Sequence, residues 1–328
     1  MHPGLDKLKK FLDRHDRFII STHESPDGDG LGAEIAFKEL LLHLGKNAII
    51  LNSDPVPEKF SFIDVDREIM VFSTGFRLDS DPSHYALFVL DTNDFSNIGQ
   101  AYAFLKDKVK NVFIIDHHEG GEDKFEENFI KVEASSACEI MYEIVSHFNG
   151  RISPKSAQAL YAGILFDTGS FRYPKTTSRT FRIISHLVEL GANPFSIYEA
   201  IYENNSMSSF ELRALMLAAM EIHFDGKLVL MKLTPEMLRK SGAPFTEGEM
   251  NINLPLTIKG VVASILVKQD IEGPVKVSLR TKGNLDVSEI AMANGGGGHK
   301  NAAGYKSKFS YDETCRMALK HMEKFFRH

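Results

Sequence analysis

Two rhythms of apolar residues alternate through the first part of the chain. One is the short unbroken block, at 18–20, 48–51, 85–90 and 112–115, rich in Ile, Val, Leu and Phe. Such blocks read as strands buried on both faces, the pattern of a parallel sheet. The other is helical spacing, as in Leu5, Leu8 and Leu12. It predicts helices over 5–14, 31–44 with Gly45 as the stop, 97–108, 136–148, 154–166 and 177–190. Strand and helix in turn imply βαβ units, hence an α/β domain whose parallel sheet carries helices on both faces. Pro26 with Gly28, Gly30 and Gly32 predicts a tight loop after the first strand. The stretch Gly191-Ala192-Asn193-Pro194 breaks the pattern. The chain therefore reads as an N-terminal domain 1–190, a helical linker 191–210 and a smaller α+β domain 211–328, with the boundary near residue 205. In the smaller domain 228–233, 260–267 and 275–280 alternate like strands, and 286–293 and 311–326 read as helices.

Polar residues cluster where the blocks end. The first block runs into His23-Glu24-Ser25-Pro26-Asp27-Gly28-Asp29, the third stops at Asp91, and the fourth at Asp116-His117-His118. The helix 154–166 ends in Asp167-Thr168-Gly169. In open α/β sheets, ligands bind beyond the carboxyl ends of the strands. Each residue alone has a plain reading. His23 would be a loop histidine, Asp29 the N-cap of the next helix, Asp91 a turn residue and Asp167 part of a helix terminus. Jointly they gather acids and imidazoles from four segments at one sheet edge. Ionised carboxylates crowded there need counter-charge, which divalent cations supply. Four aspartates and two histidines suffice for two metals if one carboxylate is shared. Two metals about 3.5–4 Å apart clamp the attacking and leaving oxygens of a phosphoryl transfer. Mixed imidazole and carboxylate donors suit Mn²⁺ better than Mg²⁺.

Composition narrows the partners. The net charge is −6 over 328 residues, without the basic excess expected of a protein that tracks long nucleic acid. Any nucleic-acid substrate is therefore expected to be short. Cys138 and Cys315 form no C-x-x-C pair, which fits a reducing compartment. No apolar run approaches the roughly 20 residues of a membrane span, and the N-terminus lacks a signal-peptide pattern. The expectation is a cytoplasmic protein without a membrane partner.

Taken in order, these motifs resemble the DHH phosphoesterase family, and the C-terminal Gly295-Gly296-Gly297-Gly298-His299 with Ala302-Ala303-Gly304 resembles the DHH-associated domain. The resemblance covers nearly the whole chain. Its two-domain length looks most like the bacterial nanoRNase and pAp phosphatase type. It implies that His23 and Asp27 bind one Mn²⁺, that Asp29, His117 and Asp167 bind the other, and that Asp91 bridges them. Mg²⁺ or Co²⁺ would be substitutes. Asp116 would orient a histidine, and His118 would contact the scissile phosphate or protonate the leaving oxygen. Hydroxide activated by the two metals would attack phosphorus.

Substrate binding is assigned to the second domain. Glycines 296, 297 and 298 let backbone amides approach a phosphate. His299, Ser278 and Arg280 would grip it, Arg280 by its fork of donors. Arg172, Tyr173 and Lys175, just past Asp167, are further candidates for touching the nucleotide. The implied activity is degradation of short oligoribonucleotides, two to five nucleotides long, and dephosphorylation of 3′-phosphoadenosine 5′-phosphate (pAp). The alternatives are a phosphodiesterase for linear or cyclic dinucleotides (pApA, pGpG, cyclic di-AMP) and, in another class, a non-catalytic nucleotide-binding regulatory module. Family members often pair, so a homodimer is expected.

Overall fold

The computed structural model describes residues 3–119 and 126–326, and the chain divides into two units between Asn204 and Asn205. The first unit opens with α1 (Pro3–Arg14), β1 (Arg17–Ser21), α2 (Gly28–His43), β2 (Asn47–Asn52), β3 (Ile69–Val71) and β4 (Ala86–Leu90). It continues with α3 (Gln100–Leu105), β5 (Val112–Asp116), β6 (Asn128–Ile130), α4 (Ala137–His147), α5 (Pro154–Asp167), α6 (Ser178–Glu189) and α7 (Pro194–Tyr202). The six strands run parallel in the order β3-β2-β1-β4-β5-β6. The order reverses between β1 and β4, the switch point where a doubly wound sheet opens a crevice. Alternate residues face opposite sides. Phe18, Ile20, Phe88, Leu90, Phe113 and Ile115 pack beneath α1, α2, α4 and α5. Ile19, Leu87, Val89 and Ile114 pack with Ala101 and Leu105 of α3 on the other side.

Three local expectations are corrected. The helix expected from residue 31 starts at Gly28, capped by Asp27, whose carboxylate accepts from the amides of Asp29 and Gly30. Its glycines are not loop residues: they let the helix backbone come close to its neighbours. A Cβ on Gly30 would lie 2.3 Å from Thr22 Oγ1, and one on Gly32 would lie 2.4 Å from the carbonyl oxygen of Ala159 in α5. The helix expected over 97–108 shrinks to α3, because a 3-10 turn (Phe95–Ile98) and Gly99 at φ +65° precede it. The edge strands β3 and β6 carry three residues each, too few for periodicity to show.

Residues 191–210 divide between the units. Ile197 and Ile201 of α7 join the first core, while Leu212 and Met216 of α8 (Met207–Ala218) join a core of the second unit. That unit continues with β7 (Glu221–His223), β8 (Leu228–Leu233), α9 (Pro235–Ser241), β9 (Ala263–Gln269) and β10 (Val275–Thr281). It ends with α10 (Ser288–Ala293), β11 (Gly297–His299), β12 (Ala302–Lys306) and α11 (Tyr311–Met322). The sheet order is β11-β12-β10-β9-β8-β7, antiparallel except for β8 and β9. Val277, Leu279, Ala303 and Tyr305 lie under α10 and α11, while Val229, Met231 and Leu266 lie under α8 and α9. The glycine run is thus partly an edge strand. A Cβ on Gly296 would meet the Gly304 carbonyl at 2.1 Å, and Gly298 has φ +136°, so close strand pairing accounts for two of its four glycines.

Candidate metal centre

All six aspartates and histidines with metal-type spacing come together at the carboxyl edge of the first sheet. His23 follows β1, Asp91 follows β4, and Asp116, His117 and His118 end or follow β5; Asp27 and Asp29 open α2, and Asp167 closes α5. Three sets among the described residues bring their ligand atoms within 4.8 Å of one another: His23, Asp27 and Asp91; Asp29, His117 and Asp167; and Asp91, Asp116, His117 and His118. Asp91 reaches both His23 and His117. Its Oδ2 lies 3.6 Å from His23 Nε2, and its Oδ1 lies 3.4 Å from His117 Nε2. His117 Nε2 also lies 3.4 Å from Asp167 Oδ2 and 3.8 Å from Asp29 Oδ2.

Local structure aims each group. His23 Nδ1 donates to the carbonyl of Glu24 at 2.9 Å, which turns Nε2 toward Asp91 and Asp27. Asp29 is fully buried, and its two oxygens accept from the amides of Ala137 (2.6 Å) and Cys138 (2.9 Å) at the start of α4. A helix N-terminus favours that negative charge. Asp91 sits at φ +59°, a left-handed conformation rare outside glycine. Asp116 is fully buried and bonds His118 Nδ1 at 2.7 Å, while the His118 side chain stays 47% exposed.

The electrostatics show a shortage of positive charge. Burial opposes protonation of His117, yet Asp91, Asp29 and Asp167 outweigh it and push its pKa up to about 10. Burial likewise opposes charge on His23, and Asp91 and Asp27 lift it to about 10. Asp91, although buried, is held well below the ordinary carboxylate range by His117 and His23. Burial and the neighbouring carboxylates raise Asp27 and Asp29, and burial brings Asp167 to about 6 despite His117. Three of four carboxyls therefore resist ionisation when only imidazoles face them. Asp91 Oδ1 and His117 Nε2 are buried with no hydrogen-bond partner. Such orphaned atoms are costly, and a divalent cation would satisfy both. The residues present fit metal ions.

A layer behind the ligands was not evident from motifs. Asn52, at the end of β2, accepts from the Thr22 amide at 3.2 Å and donates to Glu34 at 2.9 Å. Thr22 Oγ1 donates to the Leu90 carbonyl at 3.0 Å. The chain Glu34–Asn52–Thr22–Leu90 ties the backbone just before His23 to that just before Asp91. The one available signal was a polar residue closing an apolar block, as at the other strands.

The predicted substrate residues gather in the second unit. Ser278 and Arg280 sit two apart on β10, opposite Gly304 and Ala302 of β12, which in turn pair with Gly297 and His299. Arg280 Nη2 lies 3.8 Å from Glu249, which also accepts from Ser278 Oγ at 3.1 Å and pairs with Lys268. His299 is placed by its backbone in β11; its side chain lies outside the described residues.

Residues 17–164 match the DHH family, N-terminal domain, and residues 242–328 match the DHHA1 domain. With the acid and imidazole edge of the sheet, these matches define the class: a metal-dependent phosphoesterase. The first unit carries a DHH-family N-terminal domain and the second a DHHA1 domain. Among curated relatives, it is 27% identical over 98% of its length to the probable bifunctional oligoribonuclease and PAP phosphatase NrnA of Streptococcus mutans, covering 98% of that protein. It is also 27% identical to a membrane protein–ribosomal subunit bL9 fusion protein of onion yellows phytoplasma, matching 97% of its own length but spanning only 38% of that relative. It is 26% identical to the cyclic-di-AMP phosphodiesterase GdpP of Geobacillus thermodenitrificans, of which it spans 49%. Among solved structures, an exopolyphosphatase-related protein from Bacteroides fragilis superposes with a TM-score of 0.90 at 26% identity, covering 98% of this chain and 96% of that one. No helix among the described residues is long and apolar enough to cross a membrane.

Proposed function

We propose that this protein hydrolyses short oligoribonucleotides to mononucleotides and removes the 3′-phosphate from pAp, using two manganese ions. The observation that carries the reading is the placement of Asp91, one oxygen toward His23 and the other toward His117. In this reading His23 and Asp27 hold one ion, Asp29, His117 and Asp167 hold the second, and Asp91 is shared. When bound, the ions supply positive charge at the phosphate and lower the pKa of water. The residues of the chain do the rest. Glu24 and the amides of Ala137 and Cys138 keep His23 and Asp29 oriented. Asp116 accepts from His118 Nδ1 and raises its pKa, so a protonated imidazole is available to give its Nε2 proton to the departing sugar oxygen. Arg280, Ser278 and the glycine strand bind the non-reacting part of the nucleotide. The activity for which the Streptococcus relative is named, matched over nearly its full length, supports this substrate class.

The second reading is a phosphodiesterase for linear or cyclic dinucleotides, which the GdpP likeness favours. Product analysis on 5′-labelled RNA from dimer to 24-mer, beside pAp, pApA, pGpG and cyclic di-AMP, separates the two. Preferential turnover of dimers to pentamers and of pAp is the expected result. Activity that survives EDTA refutes the two-metal mechanism. Solution mass measurement tests the homodimer, and fractionation tests the cytoplasmic location.

A further inference from the structure

We propose that Lys175 is a catalytic residue whose ammonium group contacts the scissile phosphate beside the metal centre and offsets charge on it as the P–O bond breaks; this rests on the phosphohydrolase reading above. Lys175 is half-buried, and its Nζ donates to the carbonyl oxygen of His117 at 3.2 Å. Among the described residues no carboxylate pairs with it. Three other shielded lysines of this unit are paired with carboxylates: Lys131 with Glu143, Lys155 with Asp66 and Glu68, and Lys38 with Glu68. A carbonyl oxygen orients an ammonium group without neutralising it. The charge at the edge of the metal centre is therefore left for an anion.

The chain spends strain to put it there. Asp167 and Lys175 are the two ends of one turn in which Gly169, Ser170 and Phe171 have φ of +55°, +59° and +64°. Ser170 and Phe171 in that region are strained, and such strain persists only where surroundings hold it. They do. The Thr168 carbonyl accepts from the amides of Arg172 (2.9 Å) and Tyr173 (3.0 Å), and Thr168 Oγ1 accepts from the Phe171 amide at 3.0 Å. The Phe171 ring packs 5.4 Å from that of Phe181. A Cβ on Gly169 would lie 2.5 Å from the Tyr173 ring. One end of this rigid turn brings Asp167 Oδ2 to 3.4 Å from His117 Nε2, and the other brings Lys175 to the same residue's carbonyl.

The chemistry needs a cation that takes no part in proton transfer. In the hydrolysis, a water oxygen bonds to phosphorus, the bond from phosphorus to the sugar oxygen breaks, and that oxygen takes up a proton. Lys175 stays an ammonium throughout and acts as a fixed point charge. Its effect should grow with the charge on the reacting group, so it should be larger for the phosphomonoester of pAp than for the diester of pApA.

The test compares Lys175→Met and Lys175→Arg with the parent full-length chain. For Lys175→Met we expect kcat/KM on pAp to fall about 100-fold and on pApA about tenfold, the range for losing one hydrogen bond to a charged group. Lys175→Arg should recover most of both. Mn²⁺ affinity, read by electron paramagnetic resonance, and Tm should be unchanged. Calorimetric binding of inorganic phosphate to the manganese-loaded protein should weaken about tenfold in Lys175→Met. That last measurement needs no turnover, so it stands even if the parent hydrolyses neither substrate, a result that would sink only the phosphohydrolase reading. Unchanged phosphate affinity overturns the assignment. So does a loss of activity accompanied by weaker Mn²⁺ binding and a lower Tm with no rescue by arginine, which would make Lys175 a strap between its loop and β5.

Discussion

Glu34 offers a test of the buried layer behind the metal ligands. It is fully buried in α2, and Asn52 Nδ2 donates to its Oε2 at 2.9 Å, while its Oε1 has no partner. Burial raises its pKa from 4.5 to about 8, against the smaller opposing effects of Asn52 and His23. In the unfolded chain the carboxyl ionises near its ordinary value. Between these two values the unfolded state therefore binds fewer protons than the native state, and stability falls as pH rises. The penalty is absent well below pH 4.5 and complete above about 8. At about 1.36 kcal/mol per pH unit, its change between pH 5 and pH 9 is about 4 kcal/mol. Glu34→Gln keeps an oxygen for Asn52 and removes the titration. In chelator-treated protein, urea unfolding should show the variant nearly as stable as the parent at pH 5 and more stable by about 4 kcal/mol at pH 9. An equal difference at the two pH values would mean that Glu34 ionises freely in the native state and that its isolation is misjudged.

Three further outcomes are expected. Asp91→Asn should lower turnover by about 1,000-fold or more and reduce the number of Mn²⁺ ions bound per chain; near-normal rates with two ions bound would show that Asp91 does not bridge. Gly32→Ala places a Cβ 2.4 Å from the Ala159 carbonyl and should cost about 1–3 kcal/mol, read from the urea midpoint; an unchanged midpoint would mean that α2 and α5 part without strain. Arg280→Ala should raise KM for short substrates about 10- to 100-fold with little change in kcat, and an unaltered KM removes Arg280 from the binding surface.

Much of the site was legible because a parallel sheet is read twice. Its strands appear as apolar blocks, and their carboxyl ends appear as whatever polar residues stop those blocks. His23, Asp91 and Asp116 to His118 were visible for that reason. The glycines of α2 were misread as loop residues, since glycine marks either a turn or a close approach, and spacing does not distinguish them. Thr22 and the Ala159 carbonyl, which make Gly30 and Gly32 necessary, are distant in sequence or on another element. The short strands β3 and β6 depend on pairing with neighbours rather than on their own pattern.

The order of residues alone determined the α/β class and the donors that could hold metal, because burial pattern and side-chain chemistry are local properties. Which oxygen of Asp91 faces which histidine, the link from Glu34 through Asn52 to Thr22, and the turn that carries Lys175 to the His117 carbonyl were decided only by the folded chain. Each depends on distances between segments far apart in sequence, and those distances exist only once the sheet and helices have packed.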